Sequence, residues 1–143
     1  MSIQVKIQGL DIPDELYVKA HKITRRCIEE YTSDLLRVSS LRTPVKDGNL
    51  ETSGTKKVKN TFTGATGIVS FKAINKGYNY AVKMHDGKYK LGKRSLEKSS
   101  GGVRSKFASK PMAVGSKYLE GTALSCRKGY EKDLKLKMAE GLK

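Results

Sequence analysis

The chain has 143 residues, 37% of them apolar, no tryptophan, and a formal net charge of +15. A chain of this length is expected as one domain, 1–143, with a single modest core. No run reaches the roughly 20 apolar residues that cross a bilayer, and no basic-then-apolar leader opens the sequence, so synthesis and use in a cytoplasm are expected. Cys27 and Cys126 are too few for a disulfide scaffold and lack C-x-x-C spacing; both fall on apolar stripes and read as buried small hydrophobes. The charge is uneven. Residues 1–50 carry eight Lys/Arg against seven Asp/Glu, and residues 51–143 carry 21 against seven. Such asymmetry suggests a surface that meets an acidic partner: nucleic acid, an anionic membrane or an electronegative protein ring.

Residues 2–8 alternate, with Ile3, Val5 and Ile7 on one side, which predicts a strand with one buried face. Gly9 to Asp11 reads as a turn. Pro13, Asp14 and Glu15 suit a helix start. Leu16, Ala20, Ile23, Cys27, Tyr31, Leu35 and Val38 then recur at spacings of three and four, predicting an amphipathic helix to about Ser39. At 1.5 Å per residue it is on the order of 40 Å long, enough to contact a neighbouring subunit. Pro44 must end it. Asp47-Gly48 signals a turn, and Leu50, the large apolar residue that follows, is expected to anchor this corner in the core. Strands are predicted over 56–62 and 67–73, joined by Thr63-Gly64-Ala65-Thr66. In the first, Val58, Asn60 and Phe62 share a face; the second carries Ile68, Val69 and Phe71. Tyr80-Ala81-Val82 reads as a third short strand or a packed turn.

The stretch from Lys88 to Lys110 holds eight Lys/Arg and one Glu with few large apolar residues. Such a composition predicts a mobile loop outside the core. Pro111 precedes a final helix, roughly Ser116 to Leu142, with the stripe Leu119, Ala123, Cys126, Tyr130, Leu134 and Met138. Gly121 and Gly129 each lower its intrinsic stability by around 1 kcal/mol, and Glu131–Lys135 is a favourable i,i+4 pair.

Chemistry-bearing patterns are sparse. Gly87 to Arg94 reads G-x-x-x-x-G-K followed by Arg, whereas a phosphate loop needs Ser or Thr there to hold magnesium; no apolar strand precedes it and no helical pattern follows. His21 and His85 have no metal-ligand spacing with each other or with the cysteines. His21 is expected as a partly exposed helical residue. His85 is expected to pack or hydrogen-bond, with Asp86 able to orient it. No nucleophile stands beside that pair, and no two carboxylates are poised for acid–base work. Catalytic residues, metal and cofactor are therefore all expected to be absent, and the chain is expected not to be an enzyme.

Two segments taken together resemble the head–tail joining proteins of long-tailed bacteriophages, also called neck, tail-completion or minor capsid proteins. That family has a short strand, Gly-Leu-Asp, a long helix, then Ala/Thr-Pro-Val-Asp-Thr-Gly-x-Leu-x-x-Ser. Tyr-Ala and His/Glu-x-Gly follow, and a helix ends the chain. The matching residues here are Gly9, Leu10 and Asp11, then Thr43, Pro44, Val45, Gly48, Leu50 and Ser53, then Tyr80, Ala81, His85 and Gly87. Lys117-Tyr118-Leu119-Glu120 is similar to the family's final helix start. Lys46-Asp47 replaces the family's Asp-Thr, and the stretch after Gly87 is longer and more basic. The resemblance implies an α+β fold: a small antiparallel sheet packed by a long N-terminal helix and a C-terminal helix, to which the composition adds a long basic loop. It further implies a virion structural protein. Six or twelve subunits would form a ring around the DNA conduit, joining the portal-side connector to the tail-tube proteins, with no membrane involved.

Lys88, Lys90, Lys93, Arg94, Lys98, Arg104, Lys106 and Lys110 are the expected partner-facing or DNA-facing cations. They would neutralise phosphates without reading sequence, or would order against an acidic protein neighbour. Tyr89 and Phe107 are the aromatics in the stretch that could stack on bases. A stand-alone basic nucleic-acid-binding domain is the alternative reading.

Overall fold

The computed structural model describes residues 3–8, 17–45, 48–61, 64–75 and 77–142. Its elements are β1 (Ile3–Gln8), α1 (Tyr17–Arg42), α2 (Asn49–Thr52), β2 (Gly54–Thr61), β3 (Gly64–Phe71), β4 (Ile74–Asn75), β5 (Tyr78–Asn79), α3 (Tyr80–Asp86), α4 (Lys93–Ser99) and α5 (Glu120–Gly141). The fold is α+β, with a three-stranded antiparallel sheet of order β1-β3-β2. The expected start of the long helix at Pro13, its stripe residue Leu16, the Gly9–Asp11 turn, Lys46, Asp47, Phe62 and Thr63 lie outside the described residues.

Helix α1 is the centre of the molecule. Ala20, Cys27, Tyr31, Leu35 and Val38 are buried along it, as the spacing predicts; Ile28, outside that stripe, is buried too, and Ile23 is half-buried. The helix extends past Ser39 to Arg42, and Pro44 ends it. One side of α1 covers the sheet. Gly67 of β3 permits this contact: a Cβ there would overlap Thr32 and crowd Ile28. Leu35 meets Val69, Phe71, Leu50 and Ala81 in one apolar cluster, with Val5 of β1 packed against it. The side chains of Ile3 and Ile7 lie outside the described residues.

Register places Thr55, Lys57 and Lys59 of β2 opposite Ser70, Ile68 and Thr66. Opposed residues share a face, and alternate residues along a strand lie on opposite faces. These six therefore lie on the face away from α1, whereas Val69 and Phe71 lie towards it. Ile68 thus lies on the opposite face from Val69 and Phe71. Asn60 is exposed and Val58 half-buried.

The other side of α1 packs on α5 and on the segment 103–114. Cys27, Tyr31 and Val38 form a second cluster with Val103, Phe107, Met112, Cys126, Tyr130 and Leu134. Helix α5 begins at Glu120, four residues later than the expected start at Ser116. Lys117 has φ 58°, a left-handed conformation that cannot continue a helix, and its N–H donates to the His85 carbonyl (2.6 Å). Glu131 pairs with Arg127 at 3.2 Å rather than with Lys135.

Two expectations are corrected. Tyr80-Ala81-Val82 is neither strand nor turn but the start of α3. Its first N–H donates to Ala73 O (2.9 Å), and Ala81 and His85, one helical turn apart, are both buried. The stretch 88–110 is not structureless. It contains α4, and Val103 and Met112 exchange two backbone hydrogen bonds (2.7 and 2.8 Å).

Candidate functional site

The basic segment is held down by a few apolar side chains set between its cations. Phe107 is 8% exposed, edge-on to Tyr31 with ring centroids 5.3 Å apart and tilted against Tyr130 at 4.9 Å. Its backbone lies against α5 at Gly129, where a Cβ would overlap the Phe107 carbonyl. The glycine that weakens the helix in isolation therefore makes the groove that receives the segment. Ser105 Oγ donates to Asp34 Oδ2 (2.8 Å), which also accepts from Tyr130 OH (2.9 Å).

The eight expected cations divide into two groups. Lys98 and Lys106 serve the fold. Lys98 Nζ donates to Ser40 O (3.0 Å) and Thr43 O (2.8 Å) and pairs with Glu51 Oε2 (3.0 Å). It thus satisfies carbonyls at the C-terminal end of α1, where a cation is also favoured by the helix dipole. Lys106 Nζ pairs with Glu30 Oε1 (2.6 Å) and lies over the Phe107 ring, 5.0 Å from its centroid. Lys88, Lys90, Lys93, Arg94, Arg104 and Lys110 are exposed. Of these, Lys88, Lys90, Lys93, Arg104 and Lys110 make no ion pair among the described residues.

A network ties the segment to both long helices. Lys137 bridges Glu30 (2.7 Å) and Asp133 (3.0 Å), and Tyr31 OH donates to Asp133 Oδ2 (2.5 Å). Hydrogen bonds from Lys106 and Lys137 hold the Glu30 carboxyl below its usual range. Burial works against the Asp133 carboxylate, but Tyr31 and Lys137 outweigh it and lower its pKa. The hydrogen bond to Glu30, aided by Asp133, raises Lys137. Burial raises the phenols of Tyr31 and Tyr130 above the ordinary tyrosine range, with Asp133 and Asp34 adding to the shifts.

Several described residues that carry the resemblance lie together at the C-terminal end of α1. Gly48 takes φ 85° before α2, a conformation glycine reaches cheaply. Leu50 is buried, as expected, and its carbonyl accepts from Ser53 Oγ (2.7 Å). Pro44, Leu50 and Tyr80 line one cavity of about 190 Å³ together with Met84, Tyr89 and Leu91. Burial pushes the Tyr89 phenol up to about 12; it donates to Met84 O (2.6 Å). Ser95, 2% exposed, accepts from Val45 N–H at the same place (2.8 Å).

His85 fastens α3 to the start of α5. Its Nδ1 lies 2.8 Å from Asp86 Oδ1, and its Nε2 accepts the Glu120 N–H (3.1 Å), so the proton sits on Nδ1. Tyr118 packs edge-on to the ring at 5.0 Å and donates to Ala81 O (2.7 Å). Gly87 N–H closes α3 on Lys83 O (2.8 Å). Both imidazole nitrogens are thus engaged in structural bonds. His21 is half-buried on α1, with Nε2 3.3 Å from Thr61 O. Among the described residues no group of three or more His, Cys, Asp or Glu is placed to hold a metal. No helix among them is long and apolar enough to cross a membrane.

Gly92 does cap a helix that Lys93 begins, contrary to expectation, but α3 rather than a strand lies before it. Sequence reasoning also missed Arg42. It is 9% exposed and donates to Ala113 O (2.8 Å) and Thr122 Oγ1 (2.8 Å), joining α1 to α5. Burial lowers its pKa. Its position in the last turn of a helix was the available signal.

Comparison of the chain with protein-family models, with curated proteins and with solved structures returned no match.

Proposed function

We propose that this chain is a structural protein of the bacteriophage neck or tail, located in the virion. In this reading six or twelve copies form a ring around the DNA conduit between the portal-side connector and the tail tube. The supporting observation is the proximity of described residues that carry the resemblance. Pro44, Leu50 and Tyr80 line one cavity, while Ala81 and His85 clasp residues 118–120. Described positions from Pro44 to Glu120 lie together near the end of α1. The mechanism is assembly rather than catalysis. Exposed cations repeated around a ring would face an acidic neighbour or the exiting DNA.

Imaging of purified particles at subunit resolution tests this reading. A closed ring of this chain between head and tail is expected; its absence from particles overturns the proposal.

A stand-alone nucleic-acid-binding domain is the second reading. It is favoured by the five cations of the basic segment that make no ion pair among the described residues, with exposed Lys57 and Lys59 on the outer sheet face. Charge neutralisation of Lys88, Lys90, Lys93, Arg104 and Lys110 separates the two. A nucleic-acid binder loses DNA affinity, and its salt slope falls by about 0.9 for each phosphate contact removed. A neck protein keeps its fold and loses particle assembly.

A further inference from the structure

Residues 103–107 alternate between inside and outside. Val103, Ser105 and Phe107 are buried, whereas Arg104 and Lys106 are exposed, the period of an extended chain. The chain then turns back. Ala108 N–H donates to Ser105 O (3.2 Å), and the backbone pair Val103–Met112 closes the base of the loop. Phe107 N–H donates to Ser105 Oγ (3.1 Å), and Arg37 Nη2 donates to Arg104 O (3.3 Å). The inward residues and these bonds fix the loop, so its outward side chains are presented from a set backbone.

Those outward side chains surround an open hollow of about 280 Å³. Arg104, Lys106, Ser109 and Lys110 line it, and among the described residues the lining holds no Asp or Glu. Lys106 adds no net charge: with Lys137 it meets Glu30 and Asp133, two cations against two carboxylates. Arg104 and Lys110 are left over, both exposed and without an ion pair among the described residues. Two uncompensated cations around one hollow call for an anion. The hollow is several times the roughly 30 Å³ share of one water molecule, so a phosphate group fits. The Arg104 guanidinium offers a planar fork that matches phosphate oxygens, and Lys110 adds a point charge. An acidic protein is a poorer match. Protein interfaces centre on large apolar or aromatic anchors, and the apolar side chains at this lining are only Ala108 and Pro111. Phe107, which the sequence offered for stacking on bases, is turned inward at 8% exposure. Contact with phosphate remains, and contact with bases does not.

We propose that the loop from Arg104 to Lys110 holds one backbone phosphate of DNA, gripped by Arg104 and Lys110 together and read without regard to sequence. That the phosphate belongs to DNA rests on the DNA-facing reading above; the anion site itself does not.

The test is fluorescence anisotropy of the full-length protein with labelled short duplex DNA, over a range of salt. It compares the wild type with Arg104→Gln/Lys110→Gln and with Lys88→Gln/Lys90→Gln. Both variants remove the same charge at exposed positions, and circular dichroism checks that each keeps the wild-type fold. Loss of one phosphate contact lowers the salt slope by about 0.9, which at about 0.1 M salt is about eightfold in affinity. That loss is expected for Arg104→Gln/Lys110→Gln, with equal binding to duplexes of unrelated sequence. Lys88→Gln/Lys90→Gln should stay within about twofold of the wild type, because charges away from the contact are screened. A slope change of about 1.8 would put the two cations on separate phosphates, and equal losses from the two variants would make the charge diffuse. Either result overturns the single site and leaves the nucleic-acid reading standing. Absence of DNA binding by the wild type overturns both. Displacement of the DNA at constant ionic strength by millimolar inorganic phosphate, or by polyglutamate, would assign the hollow to a free anion or to an acidic protein and overturns the DNA contact.

Discussion

Replacement of Gly129 by Ala sets two effects of opposite sign against each other. Helix propensity alone makes Gly129→Ala stabilising by about 1 kcal/mol, because the change lies inside α5. Packing against the basic segment says the reverse. A Cβ at 129 overlaps the carbonyl oxygen, carbonyl carbon and Cα of Phe107. These are backbone atoms, so no rotamer change relieves the overlap and residues 105–108 must lift. Lifting exposes Phe107, whose burial contributes about 1.5–3 kcal/mol. It also breaks the Ser105–Asp34 hydrogen bond, a further 1 kcal/mol or so. After subtraction of the propensity gain, the net effect is a destabilisation of about 1.5–3 kcal/mol. Urea unfolding followed by circular dichroism measures it. Tryptic cleavage at Arg104 and Lys106 under native conditions should accelerate in parallel. A variant as stable as the wild type, or more so, with unchanged cleavage would refute the placement of Phe107 on α5.

Lys98→Ala should cost about 1–3 kcal/mol in urea unfolding, because it strips hydrogen bonds from Ser40 O and Thr43 O at a largely buried site; Lys93→Ala, at an exposed position, should be near neutral. Stability should also vary with pH at both extremes. The folded state depresses Glu30 and Asp133, so their contribution is present above the unfolded values of 4.5 and 3.8 and is lost as pH falls through the lower folded values. It raises Lys137 and the Tyr31 and Tyr130 phenols. That contribution is complete below about 10 and fades as pH rises through the higher folded values. Thermal melts across pH should show both limbs, and Glu30→Gln should flatten the acid one. Cys27 and Cys126 are free and buried, and burial raises both thiols. A thiol reagent should label neither in the native protein and both in denaturant; rapid native labelling would contradict their burial.

The long helices were legible in the sequence because their signals are periodic and long. Ala20, Cys27, Tyr31, Leu35 and Val38 specify a buried stripe whatever lies opposite, and Pro44 ends a helix by its own covalent geometry. The corner at Gly48 and the buried roles of Leu50, Cys27 and Cys126 were legible for similarly local reasons. Tertiary contacts decided the rest. Tyr80-Ala81-Val82 is too short for periodicity to separate strand from helix; the burial of Ala81 and His85 at helical spacing settles it. Lys88 to Lys110 reads as unfolded by average composition, but Val103 and Phe107 are anchors, and their value depends on a groove at Gly129 some twenty residues downstream. Lys98 and Lys106 are indistinguishable from their neighbours as letters. Only the approach of the α1 carbonyls and Glu30 turns them from surface charges into structural ones. Local periodicity and covalent constraint are written along the chain, whereas a groove, or a partner for a charge, exists only where distant segments meet.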